Sequence, residues 1–169
     1  MLKTFYPSCE AASAYTLDYA ELFEKGYRGI IFDIDNTLVP HGAPATAEAI
    51  VLFAQLRKLG FDTVVVSNNK EPRVKSFADA VQTKYIYKAN KPSGKGYRAA
   101  MKCMGCVPEN TVFVGDQLFT DVWGAKRTGI FSYLVKPIHP KEEIQIVLKR
   151  KLEAVVLFFY HRSIRKGDK

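Results

Sequence analysis

From Gly29 onward the chain alternates short runs rich in Ile, Val and Phe with longer stretches of helical periodicity, and few architectures accommodate that order. Strands covered on both faces read as continuous apolar runs, and parallel neighbours need a crossover, which a helix supplies. The runs at 29–33, 62–67, 84–86, 111–115 and 130–135 are the expected strands. The pattern specifies an α/β fold: a doubly wound, Rossmann-like parallel sheet with helices on both faces.

Helix boundaries can be read from their end signals. Thr46 caps a helix that ends near Leu59, with Gly60 just beyond it, and Pro72 suits the first turn of a helix running to about Val81. Ser93 or Gly94 precedes a helix to about Met104, and Asp121 opens one that stops before Gly129. Ahead of the first strand, residues 17–25 read as an amphipathic helix, and a charged, partly apolar helical tail occupies 141–169. With 169 residues, 47% of them hydrophobic, one domain spanning 1–169 is expected, with the alternating strands and helices of 29–135 as its core and the tail as part of it.

The chemistry is written at the ends of the strands. Ile30, Ile31 and Phe32 deliver Asp33 and Asp35 to the carboxyl end of the first core strand, where open α/β sheets bind ligands. Side chains alternate along a strand, so both carboxylates are expected on one side of the backbone, in need of a cation or a shared proton, with the Thr37 hydroxyl beside them. The run Val64 to Val66 ends in Ser67, Asn68 and Asn69, which offer hydroxyl, amide and backbone donors suited to phosphate oxygens. Lys91, followed by Pro92, can neutralise a phosphoryl group or a nucleophile's charge. Val112 to Val114 then ends in Gly115-Asp116, with Asp121 five positions after Asp116, so four acids are expected to converge. Hard oxygen ligands of this kind favour Mg²⁺.

Taken in order, Asp33-Ile-Asp35-Asn-Thr37, Ser67, Lys91 and Gly115-Asp116 followed by Asp121 resemble the haloacid dehalogenase superfamily of phosphatases. A phospho-receiver domain also gathers acids, a hydroxyl and a lysine around Mg²⁺, but with its parts in another order. The resemblance implies that Asp33 is the nucleophile that becomes an aspartyl phosphate. It implies that Asp35 protonates the leaving group and then activates water. It further implies that Asp33, the backbone carbonyl of Asp35, and Asp116 hold Mg²⁺ with Asp121 as an outer carboxylate, while Thr37, Ser67, Asn68 and Lys91 support or bind the phosphoryl group. No room exists between Thr37 and Ser67, or between Ser67 and Lys91, for the cap domain that many relatives carry, so an open site is expected. Asp35 to Pro40, Ser67-Asn-Asn69, Lys91-Pro92 and Gly115-Asp-Gln117 with Thr120-Asp121 resemble the YqeG-type group of subfamily IIIA, which is similar to phosphatidylglycerophosphate phosphatases.

A net charge of +8 points to an acidic partner: a phosphorylated substrate, an anionic membrane surface or nucleic acid. From Lys149 to Lys169, seven Lys or Arg stand against Glu153 and Asp168, which concentrates +5 of that charge in the tail. Its apolar centre, Ala154 to Tyr160, is too short to span a bilayer but can lie at an interface or pack on the sheet. The leading expectation is a Mg²⁺-dependent phosphomonoesterase acting on a phosphorylated lipid headgroup. The alternatives are a soluble phosphometabolite or nucleotide as substrate, or a non-catalytic domain binding anionic surfaces or nucleic acid through the tail. A nucleic-acid binder would gain nothing from clustered carboxylates. With no secretion signal and an odd set of three cysteines, the cytoplasm is expected, with peripheral contact at the inner face of the membrane. Cys103 and Cys106 have metal or redox spacing but no second ligand pair, and read as small buried residues at a helix end; His41 reads as a loop histidine without a role, with a place near the mouth of the site as the alternative.

Overall fold

The computed structural model describes residues 2–139, 144–165 and 167, with the side chains of 144–146 left aside. Six strands form one parallel sheet: β1 (Cys9–Ala11), β2 (Gly29–Phe32), β3 (Asp62–Val66), β4 (Lys84–Ile86), β5 (Thr111–Gly115) and β6 (Phe131–Val135). Their order across the sheet is β1-β6-β5-β2-β3-β4. The chain therefore winds outward from β2 through β3 to β4, returns to β5 beside β2, and winds the other way to β6. This reversal leaves a crevice at the carboxyl ends of β2 and β5, where a doubly wound sheet binds its ligand. Asp33 N–H donates to Val114 O at 2.9 Å and ties the two strand ends together.

The helices are α1 (Tyr19–Glu24), α2 (Ala47–Leu59), α3 (Glu71–Val81), α4 (Gly94–Met104), α5 (Trp123–Arg127) and α6 (Ile144–Arg165). The end signals act as expected. Thr46 Oγ1 accepts from Ala49 N–H, and Gly60, at φ 100°, lets its N–H reach the carbonyls of Leu56 and Arg57. Alternate strand residues supply two cores, as the period of two along a strand requires. Ile30, Phe32, Val65, Val112 and Val114 pack with α1, α2 and α3 on one face, while Ile31, Val64, Val66 and Phe113 pack with Tyr97 and Ala100 of α4 and Ala125 of α5 on the other.

Three features depart from the sequence expectation. The edge strand β1 was not legible, because Cys9-Glu10-Ala11 has neither an apolar run nor an alternation and extends only by pairing with Tyr133 to Val135. Helical winding starts ahead of Asp121, as a π-helical turn over Leu118–Val122 that leads into α5. Cys103 is exposed and Cys106 half-buried, so they are not a buried pair. The tail forms α6, which docks Val156 against Leu118, Val122 and Leu134, with Phe5, Tyr6, Phe119 and Leu157 around them. Residues 140–143 of the expected tail lie outside the described residues.

Candidate active site

The strand ends bring Asp33, Asp116 and Asp121 together so that one carboxylate oxygen from each lies within 4.8 Å of the others. All three are buried. Thr37 Oγ1 stands 3.2 Å from both Asp33 Oδ2 and Asp116 Oδ1 and can donate its one proton to either. Lys91 reaches in from the loop after β4, its Nζ donating to Asp33 Oδ1 at 2.6 Å and to Asp121 Oδ1 at 2.7 Å.

These positions follow from local backbone chemistry. Asn68 holds the backbone of Lys91 from both sides: its Oδ1 accepts from Lys91 N–H at 2.7 Å, and its Nδ2 donates to Lys91 O at 3.2 Å. With its amide occupied in this way, Asn68 fixes the backbone that carries Lys91. Ser67 is buried, and its Oγ accepts from Asn69 N–H at 3.2 Å, which leaves its own proton to donate into the cleft. Asp121 Oδ2 accepts from Gln117 N–H at 3.1 Å across the π-helical turn. Gly115 is needed beneath it, since a Cβ there would meet Asp121 Oδ2 at 2.7 Å and the Phe113 ring at 2.6 Å. Tyr97 Oη donates to the carbonyls of Thr120 and Asp121, at 3.1 and 3.0 Å, and supports the turn from below.

Asp35 is placed differently from the expectation. Strand β2 ends at Phe32, and the chain turns through Asn36 at φ 63°, so strict strand alternation does not carry through to Asp35. Its carboxylate accepts from Arg73 Nη2 at 2.9 Å, from Asn69 Nδ2 at 2.7 Å and from Gly42 N–H at 2.8 Å. Three acids rather than four converge. Asp35 nonetheless lines the same open cleft, of about 230 Å³, with Asp33, Asn36, His41, Ser67 and Lys91. His41, read from the sequence as a loop histidine, stands at this cleft.

The electrostatics follow from burial. Burial pushes the Asp33 carboxyl up to about 6, Lys91 opposes the shift, and Asp121 adds to it. Burial likewise raises Asp116 well above the usual carboxylate range, with Asp33 and Asp121 adding to the rise and Arg150 opposing it. For Lys91, burial alone would lower the ammonium, but Asp121 and Asp33 outweigh it and hold the group above its ordinary value and charged. Carboxylates crowded to this degree would gain from a further cation.

Sequence reasoning missed what α6 contributes. Arg150 Nη2 pairs with Asp116 Oδ2, its Nη1 bonds Asp116 O, and the same guanidinium meets Glu153 Oε2 at 3.0 Å. Glu153 is buried, and its Oε1 accepts from Phe119 N–H at 3.3 Å. Lys149 lines the cleft that contains Asp33. In the sequence these two residues look like any others in a basic tail. Arg73 was equally silent: only the fold brings the first turn of α3 to Asp35.

Comparison with known proteins agrees with this geometry. The family model for haloacid dehalogenase-like hydrolases matches residues 47–129. The chain is 37% identical over 159 residues to "Probable phosphatase YqeG" of Bacillus subtilis, covering 93% of this chain and 92% of that protein. It is 29% identical over 171 residues to "Phosphatidylglycerophosphate phosphatase 1, chloroplastic/mitochondrial" of Arabidopsis thaliana, covering 90% of this chain but 46% of that longer protein. Among solved structures, the deoxy-D-mannose-octulosonate 8-phosphate phosphatase of Haemophilus influenzae superposes with a TM-score of 0.51 at 13% identity, over 82% of this chain and 92% of that one. An uncharacterized protein from Corynebacterium glutamicum superposes at 0.53 with 23% identity, over 79% of this chain and 96% of that one. These two likenesses concern the fold alone. By sequence and fold, this chain belongs to the haloacid dehalogenase-like hydrolases, as a phosphatase of the YqeG type.

Proposed function

We propose that this phosphatase is a Mg²⁺-dependent phosphomonoester hydrolase working through an aspartyl phosphate on Asp33, with a phosphorylated lipid headgroup as its substrate. The observation that carries the reading is the buried cluster of Asp33, Asp116 and Asp121 with Lys91 between two of them. The donor set fits the metal: hard carboxylate oxygens, with the cleft open to water on one side. Asp33 and Asp116 would hold the ion, with Asp121 as the outer carboxylate and the backbone carbonyl of Asp35 alongside. When bound, the ion would neutralise charge on the phosphoryl oxygens.

In this reading Asp33 attacks phosphorus, the bond from phosphorus to the leaving oxygen breaks, and Asp35 gives that oxygen a proton. Water then attacks phosphorus as Asp35 takes back a proton, and the bond to Asp33 breaks to release phosphate. To serve both steps, the Asp35 carboxylate lets go of Arg73 and Asn69, takes up a proton from solvent before the first step and delivers it to the leaving oxygen, and the proton taken from the attacking water restores it. Lys91 has three N–H donors, of which Asp33 and Asp121 take two, so the third is free for a phosphoryl oxygen. Ser67 offers its hydroxyl to another.

Three observations support a lipid. The Arabidopsis thaliana relative is a phosphatidylglycerophosphate phosphatase by name. The described chain from Thr37 to Lys91 holds only α2, β3, α3 and β4, which leaves no room there for a cap domain over the cleft. Helix α6 exposes Leu148, Leu152, Val155, Phe158 and Phe159, flanked by Lys151 and Arg162, which suits peripheral contact with an anionic surface. No helix among the described residues is long and apolar enough to cross a membrane.

The test is hydrolysis of an aryl phosphate with Mg²⁺, lost in Asp33→Asn and with EDTA, followed by phosphatidylglycerophosphate in mixed micelles against soluble sugar phosphates. Activity that survives Asp33→Asn would overturn the nucleophile, and equal turnover of soluble substrates would overturn the lipid.

A further inference from the structure

The cleft around Asp33 is built by the loops after β2, β3, β4 and β5, with one exception. Lys149 comes from α6 and lines the same cleft. Its neighbour Arg150 bonds both the side chain and the carbonyl of Asp116, and Val156 is buried beneath the helix, so the backbone that carries Lys149 is fixed beside the site. Lys149 itself is exposed and has no ion-pair partner among the described residues.

The charge balance of the cleft gives this lysine a task. Asp33 and Asp121 already engage Lys91, which is all but buried, and Arg73 is engaged by Asp35. A leaving group carrying its own negative charge passes Asp35, whose charge Arg73 already balances, and needs a cation that no carboxylate has taken. Lys149 is the cleft-lining cation not already paired with a carboxylate among the described residues. Resting on the hydrolase reading above, we infer that Lys149 is a specificity-determining residue that binds a second phosphate group, carried on the leaving-group side of the substrate.

The ammonium, with three rotatable donors at the end of a flexible stem, suits an anion whose position relative to the reacting phosphorus varies with the leaving group. The preferred substrate is then a phosphomonoester with a second phosphate a short linker away. That second phosphate is either the diester of a lipid headgroup or the second ester of a soluble bisphosphate. A phosphomonoester with a neutral leaving group lacks the contact.

The experiment measures kcat and KM of the full chain for three probes: glycerol 2-phosphate, a soluble propanediol bisphosphate and short-chain phosphatidylglycerophosphate below its micellar concentration. Wild type, Lys149→Ala, Lys149→Glu and Lys149→Arg are compared by the ratio of kcat/KM for each two-phosphate probe to that for glycerol 2-phosphate. The ratio is expected to fall about 10-fold in Lys149→Ala, through KM, to fall further in Lys149→Glu and to be largely restored in Lys149→Arg. A fall for the lipid alone identifies the diester as the anion, and a fall for both probes identifies any second phosphate. Ratios unchanged in both Lys149→Ala and Lys149→Glu overturn the inference while the hydrolase reading stands. A wild type inactive on all three probes and on aryl phosphate overturns both.

Discussion

Lys91 Nζ bridges Asp33 Oδ1 and Asp121 Oδ1 at 2.6 and 2.7 Å, with its side chain 3% exposed. The acids it joins keep this buried lysine charged, and the lysine in turn opposes the rise that burial imposes on Asp33. Lys91→Met is therefore expected to leave two buried carboxylates facing each other. It should cost about 3–5 kcal/mol of stability at neutral pH and abolish aryl phosphate hydrolysis. Urea denaturation and a turnover assay on the folded fraction check the two effects separately.

The metal reading predicts stabilisation without reference to turnover. Mg²⁺ at about 100 times its Kd should add about 2.7 kcal/mol, and for a chain of this size that raises Tm by roughly 5–10 °C. Thermal melts with and without Mg²⁺ give the shift, and Asp116→Asn should remove most of it. An equal shift in that variant would place the ion elsewhere.

Arg150 holds Asp116 from behind, through both its side chain and its carbonyl. Outer partners of a ligand carboxylate usually contribute 10-fold to 100-fold to metal affinity, so Arg150→Ala should weaken Mg²⁺ binding by about that factor. Titration of the Mg²⁺-dependent melting shift measures this directly. Arg150→Lys should recover only part, because an ammonium cannot make both contacts at once.

Gly115→Ala tests the packing under Asp121. The added methyl would meet Asp121 Oδ2 and the Phe113 ring at under 3 Å, so the π-helical turn must shift. Overpacking of this kind costs about 1–3 kcal/mol. Displacing Asp121 by about an ångström would also shift Lys91, which it holds against Asp33, and should lower kcat by roughly 100-fold. The expected signature is a kcat loss larger than the stability loss would produce.

The exposed face of α6 makes a separable prediction. Leu148→Gln, Leu152→Gln and Phe159→Gln together replace side chains that are 64, 58 and 42% exposed, so Tm should change little. Cosedimentation with anionic vesicles and turnover of phosphatidylglycerophosphate in mixed micelles should both drop several-fold. Retained binding would assign this face to something other than a lipid surface.

The site was legible to different depths. Asp33, Ser67, Lys91, Asp116 and Asp121 could be identified because each follows an apolar run or its loop, and parallel strands all deliver their ends to one side of the sheet. Asp35 could be located but not oriented. The turn through Asn36 sends its carboxylate to Arg73, a contact between the end of β2 and α3 that no local pattern encodes. Asn68 carried a donor and acceptor signal, yet which backbone it would grip depended on where the Lys91 loop arrives.

The sequence by itself determined the alternation of strands and helices, the helix ends at Thr46, Gly60 and Met104, and the set of acids with their lysine. These follow from period, capping and spacing, which act over a few residues. Tertiary structure alone decided the edge pairing of β1 with β6, the separation of Asp35 from the other acids, and the return of α6 to the site. Arg150 and Asp116 are 34 positions apart and meet because Val156 and Tyr160 bury against the sheet and the amino-terminal segment. The sequence marks the basic tail as charged, and packing brings one of its residues, Lys149, to the wall of the cleft and another, Arg150, behind Asp116.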